Sequence, residues 1–260
     1  MARQRLGQHF LTGESWRRRI AASLPNHAGD TWIEIGAGHG EMTELLARPG
    51  RRLVAIETDA RLVERLRERA REWPGVEVVA GDVLKTNLTQ LVGDTRFRVF
   101  GNLPYYITSP ILQRLFRVAE QIASIHVVVQ FEVATRIAAR PGRRAYGYLS
   151  ALCQLYTHPA IVLRIPPGAF RPRPKVNSAL LAMSLPGESA ELGIEDDGQF
   201  LRFLQICFEH KRKTLRNNLR KISVAEVIEA ALASSGISGD ARAEQLTLRQ
   251  FAGLFHALSR

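Results

Sequence analysis

Four short stretches of this 260-residue chain carry side chains whose types and spacing could do chemistry. Residues 100–106, FGNLPYY, end an apolar run with a neutral carboxamide, Asn102, followed by Leu103, Pro104, Tyr105 and Tyr106. The amide hydrogen-bonds without carrying charge and the proline fixes its φ. An aromatic ring offers a stacking surface worth roughly 1–3 kcal/mol per base. The combination suits a flat ring that bears an amine. In residues 33–46, IEIGAGHGEMTELL, the series Gly36-x-Gly38-x-Gly40 separates an apolar run from a helical pattern. Glycines there permit a sharp turn and close approach of a ligand to the main chain. Glu57, in AIETD, follows Gly36 by 21 residues, a distance at which an acid can accept both hydroxyls of a ribose. Asp82, in AGDVLK, adds a third such position, where the carboxylate or its neighbouring backbone amide could bind the exocyclic amine of adenine. Taken singly, each stretch also fits a plain turn, a solvated acid or a capped loop with buried tyrosines.

The spacing narrows the ligand. Dinucleotide sites usually read G-x-G-x-x-G, but Glu41 stands where the third glycine would be, and no G-x-x-x-x-G-K-[ST] loop occurs. A nucleoside without phosphates, S-adenosyl-L-methionine, fits better. Methylating the exocyclic nitrogen of adenine requires its lone pair, which is delocalised into the ring, to be localised. Two acceptors that bind its two N–H bonds draw the nitrogen toward tetrahedral geometry. The side-chain oxygen of Asn102 and a backbone carbonyl at Leu103 or Pro104 would serve, with Tyr105 stacked on the ring. No strong general base is needed, because the methylated amine is acidic enough to lose its proton to water.

For these groups to meet, the runs before them must be neighbouring strands whose carboxyl ends lie level. TWIEIGAG (31–38), RRLVAIETD (51–59), VEVVAGD (76–82), FRVFGNL (97–103) and IHVVVQF (125–131) read as strands, with helical patterns such as ARLVERLRERAREW (60–73) between several of them. This alternation predicts an α/β fold with a mostly parallel sheet covered on both faces. Ligands of such sheets sit outside the carboxyl ends of the strands. AIVLRI (160–165) and SALLAMSL (178–185), joined by a proline-rich loop, predict an antiparallel hairpin at the sheet edge. LPGESAELGIEDDG (185–198) has the composition of a linker, and only helical patterns follow it. The expected domains are therefore residues 1–186 and a small all-helical domain over residues 187–260.

Composition bounds the partners. The net charge of +11 favours a polyanion. Residues 187–260 hold 10 basic and 10 acidic side chains, so the excess lies in the first 186, with 26 basic against 15 acidic. The second part still carries HKRKTLRNNLRK (210–221), six Lys and Arg without an acid. No apolar run approaches the roughly 18–20 residues of a membrane helix, and the first 16 residues lack the apolar core of a secretory signal. Cys153 and Cys207, 54 residues apart, could be free buried thiols or a disulfide, and a reducing cytosol suits the former. No Cys/His cluster has metal-ligand spacing, so no metal is expected.

Taken together and in order, GQHFL, EIGAGHGEMT, IETD, GDVLK, GNLPYYITSPIL and FRPRPKVNSAL resemble the ribosomal RNA adenine N6-dimethyltransferases over nearly the whole chain. RPRPKVNSALL, HKRKTLRNNL and RAEQLTLRQFAGL resemble the KsgA/RsmA type, which acts on small-subunit RNA, more than the macrolide-resistance (Erm) enzymes. The resemblance implies a Rossmann-like S-adenosylmethionine-dependent methyltransferase sheet. It also implies residue roles. His9 and Leu11 match contacts to the methionine end of the cofactor, although the family often has Asn in place of His9. Gly36, with Gly38 in the same loop, matches the turn beneath the cofactor, Glu57 the ribose ligand and Asp82 the adenine contact. Asn102 matches a contact shared with the target amine, and Phe170, in GAFRPRP, is implied to cover the adenine face opposite Tyr105. The implied substrate is two neighbouring adenosines in the hairpin near the 3′ end of 16S rRNA, in an immature 30S subunit of the cytoplasm. A monomer is the default expectation.

An amine inside a helix cannot reach such a pocket, so the adenosine must be extruded or already unpaired. Arg17 to Arg19, Arg140, Arg143, Arg144, Arg171, Arg173 and Lys175 flank the pocket in sequence, and Lys211, Arg212, Lys213 and Arg216 belong to the second basic block. Three rival readings are an RNA-binding assembly factor with a vestigial cofactor site, a nucleotide-dependent dehydrogenase, and an Erm-like enzyme on large-subunit RNA. Glu41 and NLPY disfavour the dehydrogenase.

Overall fold

Every residue of TWIEI, Thr31–Ile35, is buried in the computed structural model, which describes residues 9–259. A strand buried on both faces belongs at the centre of a covered parallel sheet, and that is its place. The strands are β1 (Phe10–Leu11), β2 (Thr31–Ile35), β3 (Arg52–Glu57), β4 (Val76–Ala80), β5 (Phe97–Asn102), β6 (Ile122–Gln130), β7 (His158–Ile165), β8 (Phe170–Arg171) and β9 (Ser178–Ser184). The helices are α1 (Glu14–Ser23), α2 (Glu41–Leu46), α3 (Ala60–Ala70), α4 (Leu88–Val92), α5 (Thr108–Phe116), α6 (Phe131–Ile137), α7 (Tyr148–Tyr156), α8 (Asp197–Phe208), α9 (Leu215–Leu219), α10 (Ala225–Ser234) and α11 (Leu248–Leu258).

The main sheet has the order β4-β3-β2-β5-β6-β9-β7. β2 pairs in parallel with β3 and with β5, β3 with β4, and β5 with β6. The strand order therefore reverses at β2, which opens a crevice beyond the carboxyl ends of β2 and β5. β9 runs antiparallel to β6, from Ser124↔Ser184 to Gln130↔Ser178. The hairpin at the edge is thus present, with its later strand on the inside. Burial explains that order: most of β9 is buried, whereas β7 exposes much of its length and carries Pro159, which cannot donate to a ladder. β1 and β8 form a separate two-stranded ribbon, with Phe10 opposite Arg171 and Leu11 opposite Phe170.

Local signals set the helix starts. Asp59 accepts the Arg61 N–H at 2.9 Å and caps α3 directly after β3. Asp196 caps α8 through the Gln199 N–H, and Thr247 with Gln250 forms a capping box at α11.

The described residues divide into two compact units. The first holds residues 9–134 together with Pro159–Leu185; the second holds Thr135–His158 and residues 186–259. Trp32, Leu53, Phe100, Val128, Phe170 and Leu180 belong to one apolar cluster of the first unit, and Leu66 of α3 packs with Ala37 and Ala55 in another. In the second unit Phe200, Phe203, Leu204, Phe251 and Leu254 share a core with Tyr146, Ala151 and Leu155. Residues 135–158 thus pack with the C-terminal helices, whereas the boundary expected at 186/187 left them in the first domain. The pattern of α7 identifies its buried face but not the surface that covers it. Cys153 and Cys207 are buried free thiols, and burial holds both well above the usual thiol range.

Leu155→Ala should cost about 2–5 kcal/mol, as for other fully buried leucines. By hydrogen exchange the loss is expected in α8 and α11, with β2 to β6 unchanged; faster exchange in the sheet would contradict the packing of α7.

Candidate active site

The registers Ile35↔Ile56, Ile35↔Gly101 and Glu57↔Ala80 bring the tips of β4, β3, β2 and β5 level. Asp82, Glu57, Gly36 and Asn102 follow in that spatial order along one edge. Gly36 turns out of β2 with φ +72°, a conformation that side chains other than glycine's rarely adopt, and its N–H donates to Ile56 O at 2.8 Å. Gly38 also has positive φ, and a Cβ there would stand 3.2 Å from the Phe10 ring. The loop is therefore bare where β1 crosses it.

Glu57 is the clasp of this corner. The residue is 4% exposed, and its carboxylate takes the Gly38 N–H on Oε2 at 2.9 Å, with the Thr58 and Asp59 N–H groups on Oε1 at 2.7 and 2.9 Å. A carboxylate offers about four acceptor positions. Three are filled, so one new donor fits on Oε2, and two ribose hydroxyls fit only if the glycine loop yields its bond. Asp82 is held by its own turn: Oδ1 accepts the Leu84 N–H at 3.0 Å, and its carbonyl accepts from Lys85 and Thr86. Oδ2 has no hydrogen bond within the described residues.

At β5 the Asn102 amide nitrogen donates to the main-chain oxygen of His9 at 2.8 Å. Since only the NH2 half can donate to a carbonyl, this contact fixes the flip of the carboxamide and leaves Oδ1 as the available acceptor. The His9 ring is fixed as well. Nδ1 lies 2.6 Å from Pro172 O, so it carries the proton, and the ring packs 5.4 Å from that of Tyr105. Tyr105 is anchored by its hydroxyl to Ser178 Oγ at 2.8 Å, and partial burial pushes the phenol up, keeping it neutral. The two candidate carbonyls differ. Pro104 O accepts the Ile107 N–H at 3.2 Å and the Thr108 hydroxyl at 3.4 Å. Leu103 O accepts from no described residue.

These groups line one cleft of about 750 Å3, counted to its open mouth, together with Phe10, Val83, Ile107 and Ile111. A largely apolar cleft with a few convergent polar groups suits a small-molecule ligand. The apolar members were not singled out in the sequence; adjacency to Asp82 and Tyr105 was their one signal. Leu11, 5% exposed, lines a smaller neighbouring cavity with Glu34, Glu41 and Met42. Phe170 lies elsewhere: it is 1% exposed, within the core cluster that includes Trp32 and Leu180, and it does not line the cleft. Pairing with Leu11 in the β1–β8 ribbon turns its side chain into the core. No group of three or more His, Cys, Asp or Glu among the described residues could hold a metal ion.

The basic residues fall into two kinds. Arg143, Arg144, Arg171, Arg173, Lys175, Arg212 and Lys213 are exposed, and their side chains make no ion pair within the described residues. Lys211 bonds to the Arg144 carbonyl and approaches Glu244 at 4.0 Å. Arg216 is engaged by Glu229 at 2.9 Å and Asp240 at 3.9 Å, and Lys221 by Glu209 at 2.5 Å. Of these, Arg143, Arg144, Arg212 and Lys213 are the ones in the second unit left without an ion pair among the described residues.

The family model for ribosomal RNA adenine dimethylase matches residues 1–260. The chain is 44% identical to a ribosomal RNA small subunit methyltransferase A of Acidobacterium capsulatum, covering 98% of this chain and 90% of the relative. It is 40% identical to the protein of the same name from Koribacter versatilis, covering 98% and 94%. Among solved structures, a dimethyladenosine transferase from Plasmodium falciparum superposes with a TM-score of 0.78 at 23% identity, over 95% of this chain and 96% of that one, a likeness of fold. The 23S rRNA methyltransferase ErmE gives 0.71 at 26% identity, over 96% and 100%.

Glu34, also not singled out in the sequence, is 2% exposed, and its Oε2 has no hydrogen-bond partner. Burial pushes its carboxyl up to about 8, with the charges of Glu41 and Glu57 adding to the rise. Between about 4.5 and about 8 the folded chain keeps a proton that the unfolded chain releases, so this group lowers stability as pH rises through that window. Glu34→Gln keeps the shape without the ionisation. Its urea midpoint is expected to match the parent's near pH 5 and exceed it near pH 8; equal slopes with pH in both proteins would refute the assignment.

Proposed function

The chain belongs to the ribosomal RNA adenine dimethylases, and from that premise we propose its substrate and the roles of its residues. It dimethylates the N6 amine of two adjacent adenosines in the 3′-terminal hairpin of 16S rRNA, within an immature 30S subunit in the cytoplasm, and so contributes to 30S biogenesis. Relatives named for the small subunit reach 44% identity, against 26% for the 23S enzyme, which supports the small-subunit reading.

The cleft residues suit S-adenosyl-L-methionine. The bare Gly36–Gly38 turn admits a ligand against the main chain, the remaining acceptor position of Glu57 takes a ribose hydroxyl, and Asp82 Oδ2 takes an amine proton. His9 and Leu11 would hold the methionine end. When bound, the cofactor supplies an electrophilic methyl carbon on a sulfonium sulfur.

The single observation that carries the mechanism is the pair of adjacent acceptors at the tip of β5. Asn102 Oδ1 is freed because the amide nitrogen is committed to His9, and Leu103 O is freed because the turn closes on Pro104 O instead. These two oxygens accept the two N–H bonds of the target amine and localise its lone pair. Tyr105, tethered to Ser178, supplies the stacking face. After transfer the positively charged nitrogen loses a proton to water, and a second cycle uses the remaining N–H on one of the two acceptors. Arg171, Arg173 and Lys175 in the first unit, and Arg143, Arg144, Lys211, Arg212 and Lys213 in the second, bind RNA phosphates, which makes affinity fall steeply with salt.

Asn102→Ala is expected to lower methyl transfer roughly 100-fold or more, the scale of losing one transition-state hydrogen-bond partner, while the thermal midpoint stays near that of the parent. Unchanged turnover would remove Asn102 from the chemistry. Labelled S-adenosylmethionine offered with immature 30S, mature 30S and 50S particles should mark RNA of the immature 30S alone. Label in 50S RNA would transfer the activity to the large subunit, and binding without label would leave an assembly factor.

A further inference from the structure

Tyr106 follows Tyr105 in sequence, yet the two rings have opposite fates. Both occupy the central positions of a turn closed by the Ile107 N–H donating to Pro104 O at 3.2 Å, with the Thr108 hydroxyl on the same oxygen. Tyr105 faces the cleft and is tied to Ser178; Ile107, on the other side, also lines the cleft. Tyr106 does not line it. It is 68% exposed, the most exposed of the large apolar side chains among the described residues and the one aromatic in that group. Within the described residues it has no hydrogen bond and no ring contact. A lone exposed apolar residue ordinarily requires no explanation. This one is a flat ring on a closed turn, between two residues that form the wall of the cleft.

We infer that Tyr106 is a positioning residue that stacks on the nucleotide next to the target adenosine; the inference rests on the RNA-methylating reading above. Extruding a base breaks its stack with its neighbour, and the neighbour then needs a new surface. A tyrosine at the mouth provides one, and its fixed turn limits the ordering cost of providing it. Two consecutive tyrosines thereby hold two consecutive bases, one inside and one at the rim. When the target has an adenosine beside it, the rim position receives a purine, which covers more of the ring than a pyrimidine does.

The test uses the full chain and small-subunit particles reconstituted with transcribed 16S RNA, in which the nucleotide on either side of the target adenosine is adenosine or uridine. Tyr106→Ala should raise the particle KM roughly 10- to 100-fold, while the affinity for S-adenosylhomocysteine, titrated directly, stays unchanged. Tyr106→Phe should restore the parental KM. Replacing the stacked adenosine by uridine should cost the parent and Tyr106→Phe several-fold in KM and cost Tyr106→Ala nothing, at one flanking position and not at the other. The inference is overturned if Tyr106→Ala matches the parent, if it loses cofactor affinity in the same proportion, or if uridine costs all three proteins equally. A parent that labels none of the particles sinks the RNA-methylating reading and this inference together; a parent that labels them while Tyr106→Ala keeps pace sinks this inference alone.

Discussion

The hydrogen bond from the Asn102 amide nitrogen to the His9 carbonyl is the contact on which the site depends. It joins the tip of β5 to a segment 93 residues earlier and decides which half of a nearly symmetric group faces the cleft. With the amide reversed, a donor would confront the N–H bonds of an amine, and the corner would repel the group it is shaped to bind. The surrounding contacts lock the same arrangement. His9 Nδ1 is held by Pro172 O, β1 is held by its pairing with β8, and the His9 ring packs beside Tyr105. A half-buried amide with one strong main-chain partner has little freedom to turn, because turning would leave a donor unpaired.

A second constraint runs through Glu57. One carboxylate gathers N–H groups from the glycine loop and from the start of the turn that caps α3. Hydrogen bonds to an ionised acceptor are about twice as strong as neutral ones, so this one side chain ties the loop after β2 to the loop after β3. The same saturation restricts what Glu57 can offer a ligand. Organising the corner and binding in it draw on one limited set of lone pairs, and most of that set goes to the protein. Neighbouring Glu34 shows the opposite balance: it is buried with an oxygen left unpaired and stays protonated at neutral pH.

Charge follows the same economy. Of the six basic residues in 210–221, Arg216 and Lys221 are spent on acids of their own unit, and Lys211 is shared with a main-chain oxygen and Glu244. A run of positive charge in sequence is thus partly structural, while Arg212 and Lys213 within it stay exposed, as do Arg143, Arg144, Arg171, Arg173 and Lys175.

Periodicity and strand-end residue types were enough to specify the alternating strands and the level row of Gly36, Glu57, Asp82 and Asn102, because a parallel sheet with short connections has few ways to align its carboxyl ends. The helical character of the C-terminal segment was equally legible. Tertiary packing alone decided the rest. Whether Phe170 faces a ligand or the core depends on its register with Leu11, two strands 159 residues apart in the chain, and a lone aromatic in a loop carries no sign of that register. That α7 packs with the C-terminal helices depends on which apolar face meets which, and that β9 lies inside β7 depends on competition for the same edge. The choice between Leu103 and Pro104 as acceptor came from a single turn hydrogen bond. Local sequence encodes the propensity of a segment and the side it buries; which partner covers that side, and which lone pairs remain afterwards, is settled only when distant segments meet.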